Sequence, residues 1–208
     1  LVQLKGMPAV FHQVAGVLTP LSLEQWASQG SPAPSVIDPT SPTYIRGILL
    51  VNKSFSLPAE FGTALTPETA NGFESMRVAA SADGVALSII SGFRSFALQV
   101  DVHDKYLASH GTERAEALSA RPGHSEHQSG LAIDVNSLDP SFADTAEGRW
   151  VAANAHHFGF IVRYPQGKEH ITGYTFEPWH LRYVGVEVAT HLLQTGLTLD
   201  EYLGAPSP

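Results

Sequence analysis

The chain contains no cysteine. Disulfides, cysteine-rich zinc sites and thiol nucleophiles are therefore excluded. Charged residues make up only 15% of the 208 positions, while 43% are hydrophobic. A disordered chain would show the opposite balance. Long hydrophobic runs are lacking too. Stretches such as Ile48–Val51 and Val85–Ile90 are of strand length, far short of the ~20 residues that span a bilayer. Basic residues are scarce: 12 Lys and Arg stand against 20 Asp and Glu, for a net charge of −8. No basic stripe is present, which argues against nucleic acid as a partner. There is no signal peptide, and the chain begins at Leu1. We therefore expect a processed or trimmed product, whose membrane tie, if any, would be an N-terminal anchor missing from this chain.

What is present is enough for one domain with a modest extension. Residues 1–26 carry scattered apolar side chains, with Pro8 and Pro20 as breaks and a helix start expected near Leu21. Residues 29–42 are rich in Pro, Ser and Gly, and read either as a linker or arm or as a crossing loop of the same domain. Beyond them we expect strands at Gly47–Asn52, Val85–Ser91, Leu131–Val135, Phe160–Tyr164 and Trp179–Val184. Helices are expected at Pro67–Ala82, Ser95–His110, Asp144–Phe158 and Val186–Gln194. Thr66 followed by Pro67 is a helix-start signal, and Gly159 and Gly196 are stop signals. Ala115–Arg121 reads as loop and Leu199–Leu203 as a terminal turn. Helices and strands without regular alternation indicate an α+β domain.

Ten histidines prompt a search for metal spacing. His127 and Asp134 lie seven apart, with Gly130 between them to let the backbone turn. On a strand through Leu131–Val135, alternation places Asp134 on one face and Leu131, Ile133 and Val135 on the other. Further on, Glu177 and His180 lie three apart, but Pro178 between them rules out the helical HExxH arrangement. His, Asp and His with a spare Glu is the inventory of a catalytic zinc site, in which three protein ligands leave a corner for water. Each of the four taken alone is more often structural; His124 competes with His127 as ligand, and His156, His157 and His170 read as surface or packing residues.

Ser125-x-His127-x-x-Gly130-x-Ala132-x-Asp134 followed by Glu177-x-x-His180 resembles the VanY-type zinc D-alanyl-D-alanine carboxypeptidases. That family belongs to a wider group with the lysostaphin-type enzymes, the D-Ala-D-Ala peptidases and the hedgehog signalling domain. The likeness extends to Val51-Asn52-Lys53, Ser91-Gly92-Phe93-Arg94-Ser95, Gln99, Phe158-Gly159-Phe160-Ile161 and Arg163-Tyr164-Pro165, and covers roughly Ile48 to Leu203. It implies Zn2+ on His127, Asp134 and His180, with Glu177 as catalytic base and Arg94 at the rim steadying the oxyanion. It also implies substrate contacts from Ser125 and Gln99, for which ordinary loop and helix polarity is the competing reading. The implied fold is a small antiparallel sheet flooring a zinc cleft, flanked by helices, in residues 43–208, with residues 1–42 as an extension or arm. The implied activity is removal of the C-terminal D-Ala from peptidoglycan stem peptides by a bacterial, extracytoplasmic monomer, which in a vancomycin-resistance setting destroys the drug's target. Three alternatives remain at this point: L,D-carboxypeptidase action on tetrapeptides, D-Ala-D-Ala dipeptidase or endopeptidase action, and a non-catalytic zinc-stabilised binding module. Loops at residues 106–122 and 166–175 are expected to shape the ends of the cleft and so decide among the cleavage specificities.

Overall fold

The computed structural model describes residues 41–205 in full, together with the backbone of Val2–Gln3, Val10–Val14 and Val17–Leu21. These three segments are strands β1, β2 and β3. They continue through β4 (Thr43–Ile45) and β5 (Ile48–Leu50) into a five-stranded sheet whose spatial order follows the chain. All its pairs are antiparallel except β3–β4. The β4–β5 turn, Arg46-Gly47, has φ of 53° and 79°, the left-handed pair that a tight two-residue hairpin needs. Contrary to expectation, Pro20 does not break the chain: β3 runs through it. The β3–β4 register involves only Val17 and Leu18, so Pro20, with no N–H to give, lies beyond the strand's second partner. The expected linker at residues 29–42 falls, but for its last two residues, outside the described residues, as does the chain just after Leu21.

The second sheet has the order β6-β7-β9-β8 and is antiparallel throughout. Its strands are β6 (Ile89–Ser91), β7 (Ala132–Val135), β8 (Phe160–Tyr164) and β9 (Glu177–Tyr183). One face is hydrocarbon. Ile133, Val135, Trp179, Leu181 and Phe160 pack there against Phe73, Met76 and Ala80 of helix α1 (Pro67–Ala82) and against Phe142, Val151 and Ala155. Each such side chain removed from water contributes about 1.5–3 kcal/mol. The period of two then forces Asp134, His180, Arg163 and Arg182 to the opposite face, and that face floors the site. The fold is thus a mixed helix-and-sheet domain whose four-stranded sheet is small and antiparallel, as expected; the five-stranded sheet, with its parallel β3–β4 pair, was not foreseen.

Local signals account for most boundaries. α1 has the expected limits, with Thr66 Oγ1 accepting from Thr69 N–H and Pro67 in the first turn. α2 (Phe96–His110) is capped by Ser95, whose hydroxyl accepts from Leu98 N–H. Other elements correct the sequence reading. Ala115–Leu118 is helical, the second half of α3 (Thr112–Leu118), which buries Ala115 and starts after Gly111 at φ 76°. The single helix expected at Asp144–Phe158 is broken in three. A 3-10 turn ends at Asp144, Thr145 caps α4 (Ala146–Asn154), and a second 3-10 turn follows at Ala155–Phe158. Thr145 Oγ1 both donates to Phe142 O and receives Gly148 N–H, so the cap interrupts the run. Only Ile89–Ser91 of Val85–Ser91 pairs as strand. The stretch expected to be loop before β9 contains a one-turn helix α5 (Glu169–Thr172), and α6 (Val186–Thr195) ends at Gly196 as expected. Leu199–Leu203 is a true helix, α7, closed by a capping box between Thr198 and Glu201.

Candidate active site and metal centre

β7 and β9 pair so that Asp134 lies directly opposite His180. Cross-strand neighbours on one face are about 5 Å apart at Cβ, so register alone brings these two side chains together. His127 comes from a 3-10 turn, Glu126–Ser129, that delivers the chain into β7. Ligand atoms of His127, Asp134 and His180 all lie within 4.8 Å of one another, and the three residues are buried. His127 Nε2 is 3.1 Å from Asp134 Oδ2, and His180 Nδ1 is 2.9 Å from Asp134 Oδ1. His127 Nδ1 lies 2.7 Å from Gly92 O. A carbonyl can only accept, so Nδ1 carries the proton and the Nε2 lone pair faces the common centre. Three N/O donors converging in this way fit a divalent metal ion with an open corner. His124, the competing ligand candidate, turns away and bonds Asn52 O at 2.8 Å. The His156 and His157 rings lie 3.8 Å apart, tilted by 38°, and His170 is exposed.

Glu177 and His180 lie three apart on β9, which in a regular strand would put them on opposite faces. An irregularity resolves this. Between the pairs Val162↔Leu181 and Tyr164↔Glu177, β9 advances four residues while β8 advances two. The surplus chain, which includes Pro178, re-aims Glu177 into the cleft, and its Oε2 comes 3.9 Å from His180 Nδ1. Burial, reinforced by Asp134, outweighs the attraction of His180 and Arg94 and lifts the Glu177 carboxyl to about 7. Asp134 behaves oppositely: burial opposes its charge, but the two imidazoles hold it well below the usual carboxylate range. His127 is pushed down by burial despite Asp134. His180 resists burial through hydrogen bonds to Asp134 and Glu126 and rises to about 9.

A cleft of about 230 Å³ opens above these groups and collects the seven residues that the resemblance assigns to the site: Arg94, Gln99, Ser125, His127, Asp134, Glu177 and His180. Tyr106, Leu118 and Ser119 line it from one side, Tyr174 and Thr175 from another. Both segments were expected to shape the cleft as loops; each carries helix, in α2–α3 and in α5. Gln99 commits its amide N–H2 to Ala120 O at 2.6 Å, and Ser125 leads into the 3-10 turn without capping it by its side chain. Among the described residues, buried Arg94 Nε, Gln99 Oε1 and the Tyr174 hydroxyl have no partner in the chain. A larger, more apolar groove of about 580 Å³ lies between α4, β8 and α6, but it holds no acid–base pair beside a donor cluster. Chemistry, not volume, identifies the site.

Several residues of the site were missed from the sequence. Glu126, inside the motif but unread, is fully buried and held by Arg163 and Arg182, which keep its carboxyl well below the usual range against the cost of burial. Tyr164 stacks on the His180 ring at 4.9 Å. The only sequence signal for them was membership of the matched segments; burial and pairing appear only in three dimensions. Gly130 shows how tightly the turn is built. It sits at φ 73°, and a Cβ there would lie 2.2 Å from Ala64 O. We expect Gly130→Ala to lower stability by about 2–4 kcal/mol through strain and overlap together. A shift of the urea midpoint measures it; an unchanged midpoint would contradict this reading of the turn.

The chain is similar to known carboxypeptidases. The profile of the family described as VanY: D-alanyl-D-alanine carboxypeptidase matches residues 62–186. The putative carboxypeptidase YodJ of Bacillus subtilis (strain 168) is 38% identical over 180 residues, covering 74% of this chain and 66% of the relative. This chain thus spans slightly less than two thirds of that protein's length. Among solved structures, the LdcB LD-carboxypeptidase is 38% identical with a TM-score of 0.70, covering 77% of this chain and 87% of that one. A Zn(II) complex of the vancomycin-resistance D,D-pentapeptidase VanY is 36% identical with a TM-score of 0.66, covering 74% and 97%. With the family profile matched over more than half its length, on a fold shared with these solved relatives, the chain belongs to the VanY family of D-alanyl-D-alanine carboxypeptidases.

Proposed function

We propose that residues 43–208 form a zinc-dependent carboxypeptidase domain that removes the C-terminal D-alanine from peptidoglycan stem peptides, acting outside the cytoplasm as a monomer. The observation that carries the proposal is Glu177: a buried carboxyl lifted to about 7, beside a three-donor cluster and in one cleft with Arg94. A general base works best with a pKa near the working pH. A purely structural zinc site would be closed by a fourth protein ligand and would need neither Glu177 nor Arg94. The Zn(II) complex of the VanY relative supports the choice of metal.

His127, Asp134 and His180 would hold the ion. Zinc, when bound, polarises a carbonyl and brings the pKa of water down to about 7. Glu177 takes the proton of the attacking water and returns it to the departing amine. Arg94, half-buried at the rim, places its cation where charge gathers on the carbonyl oxygen. Buried polar atoms are normally paired, so the partnerless Arg94 Nε, Gln99 Oε1 and Tyr174 hydroxyl are matched to a peptide, which brings both acceptors and donors. Ser125 lies in the same wall and would contact the peptide terminus. Within the N-terminal extension, strand β3 joins the domain by its pairing with β4.

We read the specificity as D,D, pentapeptide to tetrapeptide. The likeness to an LD-carboxypeptidase at 38% identity favours a second reading, tetrapeptide to tripeptide. Mass spectrometry of both synthetic peptides after incubation decides between them. We expect loss of one alanine from the pentapeptide. Loss from the tetrapeptide alone transfers the assignment to L,D action, and loss from neither contradicts the function.

A further inference from the structure

We propose that Glu126 is a positioning residue for the metal centre, setting the tautomer and aim of the ligand His180 through its Nε2–H; the inference rests on the zinc reading above. An imidazole that gives one nitrogen to a metal keeps its proton on the other, and whatever accepts that proton fixes the ring. His127 has Gly92 O for this purpose. His180 directs Nδ1 to the shared centre, and its Nε2 lies 3.4 Å from Glu126 Oε2. Glu126 is itself immobilised. Its Oε1 accepts from Arg163 Nε and Arg182 Nη1, both at 2.8 Å, which leaves Oε2 for His180. Arg163 in turn grips Asp200 of α7 through two nitrogens, at 2.5 and 3.2 Å, and Asn52 Nδ2 donates to the same carboxylate at 2.8 Å. Arg182 Nη2 donates to Leu49 O at 2.6 Å. Two guanidiniums and two carboxylates balance, so the cluster is buried without net charge. Because Glu126 adjoins His127 on one 3-10 turn, the segment that supplies one ligand also orients another.

The competing reading is that Glu126 serves only as counter-charge for the two arginines. Asp200 separates the two readings, since it carries the same kind of buried charge on Arg163 but does not touch His180. The test is equilibrium competition for zinc between a chelator and the full chain, as wild type, Glu126→Gln and Asp200→Asn, with circular dichroism checking the apoproteins. In Glu126→Gln, if the amide oxygen keeps the arginine bonds, an N–H2 points at Nε2, donor against donor. We expect zinc affinity to fall about 10–100-fold, the range for losing such an outer partner, and to stay within about threefold in Asp200→Asn. Equal losses in both, or no loss in Glu126→Gln, overturn the proposal. Should Glu126→Gln not fold, nitrogen-15 NMR of the wild-type zinc form decides. A protected His180 Nε2–H supports the assignment, and one exchanging as fast as free imidazole overturns it. Wild-type protein that takes up no zinc would instead sink the zinc reading itself.

Discussion

Glu177→Gln is expected to keep its zinc and to lose about 10³-fold in kcat, within the range for removing a positioned general base. The substitution preserves the shape of a buried side chain and leaves all three donors in place. What it removes is the ability to take a proton. A carboxyl lifted to about 7 by burial can accept a proton from water and give it up again at neutral pH; an amide can do neither. The two readouts are alanine release, by mass spectrometry, and bound zinc, by atomic emission. Retained zinc with lost turnover fits the assignment. Turnover within about tenfold of wild type would show that Glu177 is not the base, since even modest general-base catalysis contributes about 10²-fold.

His127→Ala has the second large effect, and a different one. It is expected to lose both zinc and turnover. Two donors then remain where a catalytic site uses three, and Asp134 Oδ2 loses the neighbour it meets at 3.1 Å. We expect zinc affinity to fall by more than about 100-fold, beyond what loss of an outer partner causes, with hydrolysis at background even after zinc is added back. Wild-type protein stripped by a chelator, by contrast, regains activity on adding zinc. A His127→Ala variant that hydrolyses peptide at the wild-type rate would remove the metal assignment. The pair of variants is informative because the effects divide: one separates zinc from chemistry, the other removes both.

The clustering of His127, Asp134 and His180 was legible through the family resemblance, since spacing alone left His124 as a rival donor; one part of it is local. Ile133 and Val135 had to be buried, so Asp134 had to face the other way, and it does. α1 was legible to the residue because Thr66-Pro67 is a local start signal. The failures share a cause as well. The helix expected at Asp144–Phe158 carries an internal cap, Thr145, whose preference for Phe142 and Gly148 overrides the apolar period. Glu177 reaches the cleft through an irregular pairing with β8 that period-two reasoning does not foresee. Glu126, Arg163 and Asp200 are 37 residues apart at each step, and nothing in one sequence announces that they meet. Charged residues on paper read as surface; only the fold reveals that these are buried and paired.

The proposed chemistry requires one ion held by three side chains. Anomalous diffraction at the zinc edge from crystals of the zinc-loaded chain tests it most directly. One peak is expected about 2.0–2.2 Å from His127 Nε2, His180 Nδ1 and an Asp134 oxygen. No peak at that centre, or a peak held by other residues while these three stand apart, would contradict it.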